Sequence, residues 1–246
     1  MQISPPFGYK EVVPFKKTDK VRLLSAGETP EFARDGNAIP ISYSEFQAAG
    51  RDYPIIFLSN DGKTFNAIAV TGMAARENLF VAGGSWASGV YVPAYARRYP
   101  FCMAHVNVNR VAQKDRLICV EKGHVDAERG EALFADGKPT EKWTALERLL
   151  TEYERDLDRT REMCAILADY GLLEPFTMQA KLKAERGGGK MTLAGMHRVA
   201  EKNLENLNAA QLKNLVRRGI FARVYMHLLS LEHFGDLLER KAGRSG

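Results

Sequence analysis

At 246 residues, 45% of them hydrophobic, the chain is long enough to bury a sizeable core, as one large domain or a domain with a helical appendage. No apolar run approaches the roughly 18 to 20 residues that span a bilayer, so no membrane span is expected. The formal net charge of +5 comes from 35 Lys+Arg against 30 Asp+Glu spread along the sequence, a mild excess that solvated side chains explain without a nucleic-acid partner.

Residues 1–50 mix proline, glycine and charge with short apolar pieces and read as an irregular wrap with isolated strands. The opening MQISPPFGYKEVVPFKK has no apolar core after a basic start, and Pro5, Pro6 and Pro14 interrupt it. A cleaved export signal is therefore not expected, and the cytoplasm is the expected compartment. Residues 51–135 read as mainly β. YPIIFLS, then Asn60, Asp61 and Gly62, then KTFNAIAVTG predicts a hairpin, with Asp-Gly supplying the positive φ of a tight, primed turn. A strand at 78–82 precedes a turn at Gly83 and Gly84. FCMAHVNVNR sets Val106 and Val108 against His105, Asn107 and Asn109, the period of two of a strand with one buried face. RLICVE, residues 116–121, is its expected antiparallel partner.

From Thr140 as N-cap to a stop at Gly171, Trp143, Leu146, Leu150, Tyr153, Leu157, Thr160, Cys164 and Leu167 recur three and four residues apart. This predicts an amphipathic helix of about 30 residues, about 45 Å long. Its opposite face, from Glu147 to Glu162, is charged and mixed in sign. Two readings fit: a helix lying on the sheet, or a coiled-coil seam that would make a homodimer through the 140–171 helix. Residues 175–202 read as a second hairpin, turning at Gly187, Gly188 and Gly189. Asn208 with Gln211 resembles a capping box, and residues 208–241 read as C-terminal helices interrupted at Gly219. The expected fold is α+β: an antiparallel sheet built from hairpins, one long amphipathic helix and a C-terminal helical segment, in one domain over 1–246.

The chemistry-bearing residues give few signatures. Cys102, Cys119 and Cys164 are odd in number and far apart, which suits reduced, packed thiols. ERGGGKMT lacks the first glycine and the Ser or Thr of a phosphate loop and lies between two strands, so it reads as a hairpin tip. None of His105, His124, His197, His227 and His233 has a partner at metal-ligand helical spacing, and neither GxSxG nor GxGxxG occurs. No metal and no cofactor is expected. His105, Asn107 and Asn109 share one strand face, where they could hydrogen-bond a polar ligand or simply meet solvent.

YVPAYARRYPF, residues 91–101, is the densest cluster in the chain. Pro93 could take N1 of a short helix that Pro100 stops. Arg97 and Arg98, being adjacent, cannot share a helical face, so one is expected to pair inward with a carboxylate while the other meets solvent. In the functional version Tyr91, Tyr95 and Arg97 or Arg98 line a pocket for an anionic or planar ligand, with Trp86 as a stacking surface and His105 as an outside candidate. In the structural version the aromatics pack the sheet edge and one arginine bridges loops.

YPIIF at 53–57, NLFVAGGSW at 78–86, YVPAYARRYPF, GEALF at 130–134, LLEPF at 172–176 and YMHLLSLEHFGDLLERK at 225–241 together resemble the SapC family of bacterial proteins, in that order and over most of the chain. The resemblance implies a link to a surface-layer locus, from which the family takes its name, and to neighbourhoods with halogenase-like flavoproteins and TonB-dependent receptors. It brings no catalytic residues. The expected function is a noncatalytic accessory protein of a cell-envelope, surface-layer or nutrient-acquisition system that binds a protein partner or small ligand. The alternatives are an enzyme acting on a small anionic or aromatic ligand, with His105 and an arginine as acid/base and anion clamp, and a surface-layer structural component.

Overall fold

The computed structural model of the chain describes residues 2–108, 111–182 and 189–244, and their side chains except at 2, 105–108, 111–115, 180–182 and 189–190. The fold is α+β, and its described residues form two larger antiparallel sheets and three two-stranded ones. The first has four strands in the order Gln2–Ile3, Phe101–Val108, Val111–Glu121, Val12–Pro14. The second has five, in the order Leu173–Leu182, Gly189–Val199, Ile55–Leu58, Asn66–Val70, Ala38–Pro40.

Three short strands of the first 50 residues are thus edges of the two sheets rather than isolated pieces. Gln2 stands opposite Asn107 and Val13 opposite Val120, pairings too distant in sequence to leave a local periodic signal. The hairpin at 55–70 forms as expected, but seven residues separate its paired ends, Leu58 and Asn66. Gly62 does take a positive φ of 69°, while the loop is organised by Asp61, whose carboxylate accepts from the backbone N–H groups of Lys63 and Thr64 at 2.8 and 2.7 Å. The tight turn lies instead at Gly83 and Gly84. Their φ values of 56° and 79° suit a primed turn between Val81–Ala82 and Ser85–Trp86, so the strand expected at 78–82 shortens to its last two residues.

The helix Glu141–Asp169 opens on Thr140, whose hydroxyl accepts from the N–H of Trp143. It closes beyond Tyr170 with paired bonds, Leu172 N–H to Leu167 and Gly171 N–H to Ala168. Its buried face is the spine of the molecule. Trp143 and Leu150 pack with Val21, Phe101 and Val120; Tyr153 with Tyr9, Tyr95, Cys102 and Cys119; and Met163, Cys164 and Leu167 with the five-stranded sheet and the C-terminal helices. The apolar stripe is therefore spent inside the chain. Phe101 and Val120, opposite in register, belong to one packed cluster and their neighbours Cys102 and Cys119 to another, so this part of the four-stranded sheet is covered on both faces.

The capping box at Asn208 and Gln211 forms, and Gly219 precedes the helix Ile220–Ser230. The helix expected to continue to residue 241 breaks after Ser230 and resumes as His233–Arg244. Ser230 Oγ donates to the carbonyl of His227 (2.6 Å) and accepts from the N–H of Ile55 (2.9 Å), tying the helix end to the sheet. The tip of the hairpin at 183–188 lies outside the described residues.

Candidate ligand-binding site

The helix Ala94–Arg97 starts directly after Pro93, which stands one position earlier than expected. Arg97 and Arg98 diverge as adjacency requires. Arg97 is exposed; its Nε donates to the Val92 carbonyl at 3.0 Å and its Nη2 to the Tyr91 hydroxyl at 3.1 Å. Arg98 is only 2% exposed, with Cζ 4.3 Å from the ring centre of Tyr95 and 4.7 Å from that of Tyr153. Its Nη1 donates to Glu154 at 3.1 Å. Burial opposes the charge on Arg98, but the facing tyrosines and Glu154 more than offset it and hold the pKa above the ordinary arginine value.

Glu154 also accepts from Arg116, whose Nη2 reaches Asp158 at 3.2 Å, and Asp158 accepts in turn from Arg161 at 2.6 Å. Glu154, Asp158 and Arg161 stand at i, i+4 and i+7 on the long helix, so one helix face carries the ladder.

Tyr95, Arg98, Tyr153 and Glu154 line a cavity of about 680 Å³. Phe7, Leu58, Ile68 and Leu157 make it largely apolar, and Asn60 and Asn66 contribute amides. Phe7 is held by the Tyr95 hydroxyl, which donates to its carbonyl at 2.6 Å. The chain turns immediately after it at Gly8, where φ is 82° and a Cβ would lie 2.4 Å from the Phe32 ring, so only glycine fits. Two buried polar atoms of the cavity-lining residues have no hydrogen-bond partner among the described residues: Nε of Arg98 and the hydroxyl of Tyr153. Burial lifts the Tyr153 hydroxyl well above the ordinary phenol range against the lowering pull of Arg98, so it is a protonated donor at neutral pH.

The other sequence candidates lie elsewhere. Tyr91 and Arg97 line a second cavity of about 410 Å³ beside Glu45. Glu45 is fully engaged, accepting from the Tyr91 hydroxyl (2.9 Å), the Ala94 N–H (2.7 Å) and the N–H and hydroxyl of Ser42 (2.8 and 2.7 Å). Trp86 lines a third hollow of about 330 Å³ with Arg97 and Tyr99, and its Nε1 donates to the Tyr53 hydroxyl at 2.8 Å. The structure thus brings Tyr95 and Arg98 together in the first cavity, Tyr91 and Arg97 in the second, and Trp86 with Arg97 in the third, while Tyr153 lines both of the first two. His105 stands opposite Arg116 in the strand register; its side chain, like those of Asn107 and Asn109, lies outside those described.

The model of the SapC family matches residues 20–237. The chain belongs to the SapC family. No curated protein and no solved structure matches it. Within this SapC-family chain, Pro6 and Phe7 lie outside the matched span yet contribute to the largest of the three cavities.

Other reactive groups are held in structural roles. Burial pushes the thiols of Cys102 and Cys164 up to about 12 and that of Cys119 up to about 11, so all three stay protonated at neutral pH. Among the described residues no group of three His, Cys, Asp or Glu could hold a metal ion. Tyr153, Glu154 and Arg161, which line the largest of these three cavities, were not among the sequence candidates. The signal available was the i, i+4, i+7 charge spacing from Glu154, which a mixed-sign helix face conceals.

Proposed function

We propose that this SapC-family protein is a noncatalytic binding protein, one domain over 1–246, that holds a small ligand in the cavity lined by Phe7, the five-stranded sheet and the long helix. The observation that carries the reading is the combination of apolar walls and a buried arginine in a cavity of about 680 Å³, within the size range of small-molecule sites. The noncatalytic part is supported by how the reactive groups are occupied: protonated buried thiols, and a His227 whose two ring nitrogens both meet backbone groups.

The accessory role in a cell-envelope, surface-layer or nutrient-acquisition system follows the family's association with a surface-layer locus. A protein partner or second copy would meet the mixed-charge outer face of the long helix, since its apolar face is buried within the chain. The test is a pull-down of the tagged protein from its native cells, with the bound fraction analysed for proteins and for extractable small molecules. A retained apolar small molecule is expected. A preparation that retains none, and that also fails to take up the neutral apolar dye Nile red, contradicts the reading.

A further inference from the structure

Away from the cavity, we infer that the protein docks on an anionic lipid surface through an apolar ridge on the helices Ala209–Arg217 and Ile220–Ser230, with Leu212, Val216, Tyr225 and Leu229 entering the interface and Lys213 and Arg217 meeting the headgroups. The two helices are in contact and are joined by Arg218 and Gly219 alone. In the first, Leu215 is buried while Leu212 and Val216, one turn apart, are exposed. In the second, Ile220, Val224 and His227 are buried while Tyr225 and Leu229, again one turn apart, are exposed. Contacts on the flanks fix where these stripes face. Asn214 donates to the Tyr170 hydroxyl at 2.9 Å on one side of Leu215, and Leu212 and Val216 stand on the other. Arg223 lies 4.2 Å from the Tyr43 ring centre on one side of Val224, and Tyr225 and Leu229 stand on the other. Since each occupied flank meets another part of the chain, the helices meet along their opposite flanks, and the two apolar stripes adjoin over the seam.

Val216 is 58% and Leu229 67% exposed, so these side chains project, and none of the four apolar residues lines any of the cavities described above. A projecting apolar ridge suits a deformable lipid surface, whereas a partner helix would need a groove to lie in. The charge selects the kind of lipid. From 206 to 231 the chain carries Lys213, Arg217, Arg218 and Arg223 and neither Asp nor Glu. Arg218 is paired with Glu162, and Arg223 donates to the Gly219 carbonyl at 3.3 Å. Lys213 and Arg217 are exposed and have no ion-pair partner among the described residues. Each follows an apolar ridge residue by one position, Leu212 or Val216, which sets the two cations one turn apart along the border of the stripe. Apolar side chains bordered by free cations are what an interfacial helix presents to anionic headgroups. The same cations oppose a second copy, because a twofold contact through this ridge would bring them near their own counterparts.

The experiment is flotation of the full-length protein with vesicles of phosphatidylcholine alone and of phosphatidylcholine mixed with phosphatidylglycerol, at low and high salt. It is repeated with the double variants Val216→Ser/Leu229→Ser and Lys213→Gln/Arg217→Gln. Binding to the mixed vesicles is expected to be about tenfold stronger than to phosphatidylcholine alone and to weaken as salt rises. All four positions are exposed, so both variants are expected to keep the Tm of the parent. The serine pair is expected to weaken binding to the mixed vesicles about tenfold, and the glutamine pair to remove most of the preference for them. No flotation with the mixed vesicles overturns the inference. Flotation that the serine pair leaves unchanged overturns it as well, since the lipid would then be held by charge elsewhere on the protein. A parent that sediments as a dimer and does not float, with a monomeric serine pair, replaces the lipid surface with a second copy.

Discussion

Two buried polar centres in this protein differ in one respect. At His227 every polar atom is matched. Its Nδ1–H donates to the Ile55 carbonyl at 2.8 Å, its Nε2 accepts from the Val199 N–H at 3.0 Å, and Ser230 closes the knot on the Ile55 N–H. At Arg98 and Tyr153 burial is as deep, but two donors have no hydrogen-bond partner among the described residues. The difference teaches that burial of a titratable group does not mark a site by itself. A fully satisfied network is explained by the fold it pins, whereas at Arg98 the rings of Tyr95 and Tyr153 face the cation where hydrogen-bond acceptors run out.

The comparison is broken or sharpened first at His227. His227→Ala strands the Ile55 carbonyl and the Val199 N–H and leaves a hole, for a loss of about 4 kcal/mol. Urea or thermal unfolding should register a fall in Tm of about 10 °C, with Nile red uptake in the folded fraction unchanged. A mutant as stable as the parent would remove the structural half of the contrast.

The second effect is on pH. Burial lowers the His227 pKa from 6.5 to about 4, so the folded state holds it neutral while the unfolded chain protonates. Stability from this group is fully present above pH 6.5 and is lost as pH falls through the folded pKa, about 3 kcal/mol in all. Urea midpoints between pH 7 and 4, compared with those of His227→Gln, should show the parent losing more stability over that window; parallel curves would contradict it.

Arg98→Met comes third. Breaking a buried pair ordinarily costs about 3–5 kcal/mol, but Glu154 keeps Arg116 as a partner and the unmatched Nε disappears, so a loss of about 2 kcal/mol is expected in urea unfolding, and a mutant as stable as the parent would contradict it. The smallest effect is at Tyr153→Phe. Deleting a hydroxyl without a partner should leave stability within about 1 kcal/mol of the parent, on the stabilising side. A clear loss in thermal melting would show that the hydroxyl has a protein partner and would dissolve the contrast.

Much of the fold was legible because its signals are local. The alternation of 101–108, the Thr140 and Asn208 caps and the three-and-four spacing of the long helix each specify an element from neighbouring residues. What escaped was set at long range. Gln2–Ile3 and Val12–Pro14 become strands only by pairing about 100 residues away, and the helix break after Ser230 falls where Ser230 accepts from the Ile55 N–H, 175 residues back. The site divides in the same way. That Arg97 and Arg98 must point apart follows from adjacency alone. That Arg98 is the inward one, and that its carboxylate is Glu154, 56 residues on, depends on how the long helix lies against the short one.

The most direct measurement is a crystal structure of the full-length protein grown with 1-decanol. The account predicts an alkyl chain in the cavity, running along Phe7, Leu58 and Leu157. 1-Decanol bound elsewhere, or a cavity holding only ordered water at saturating 1-decanol, would contradict it.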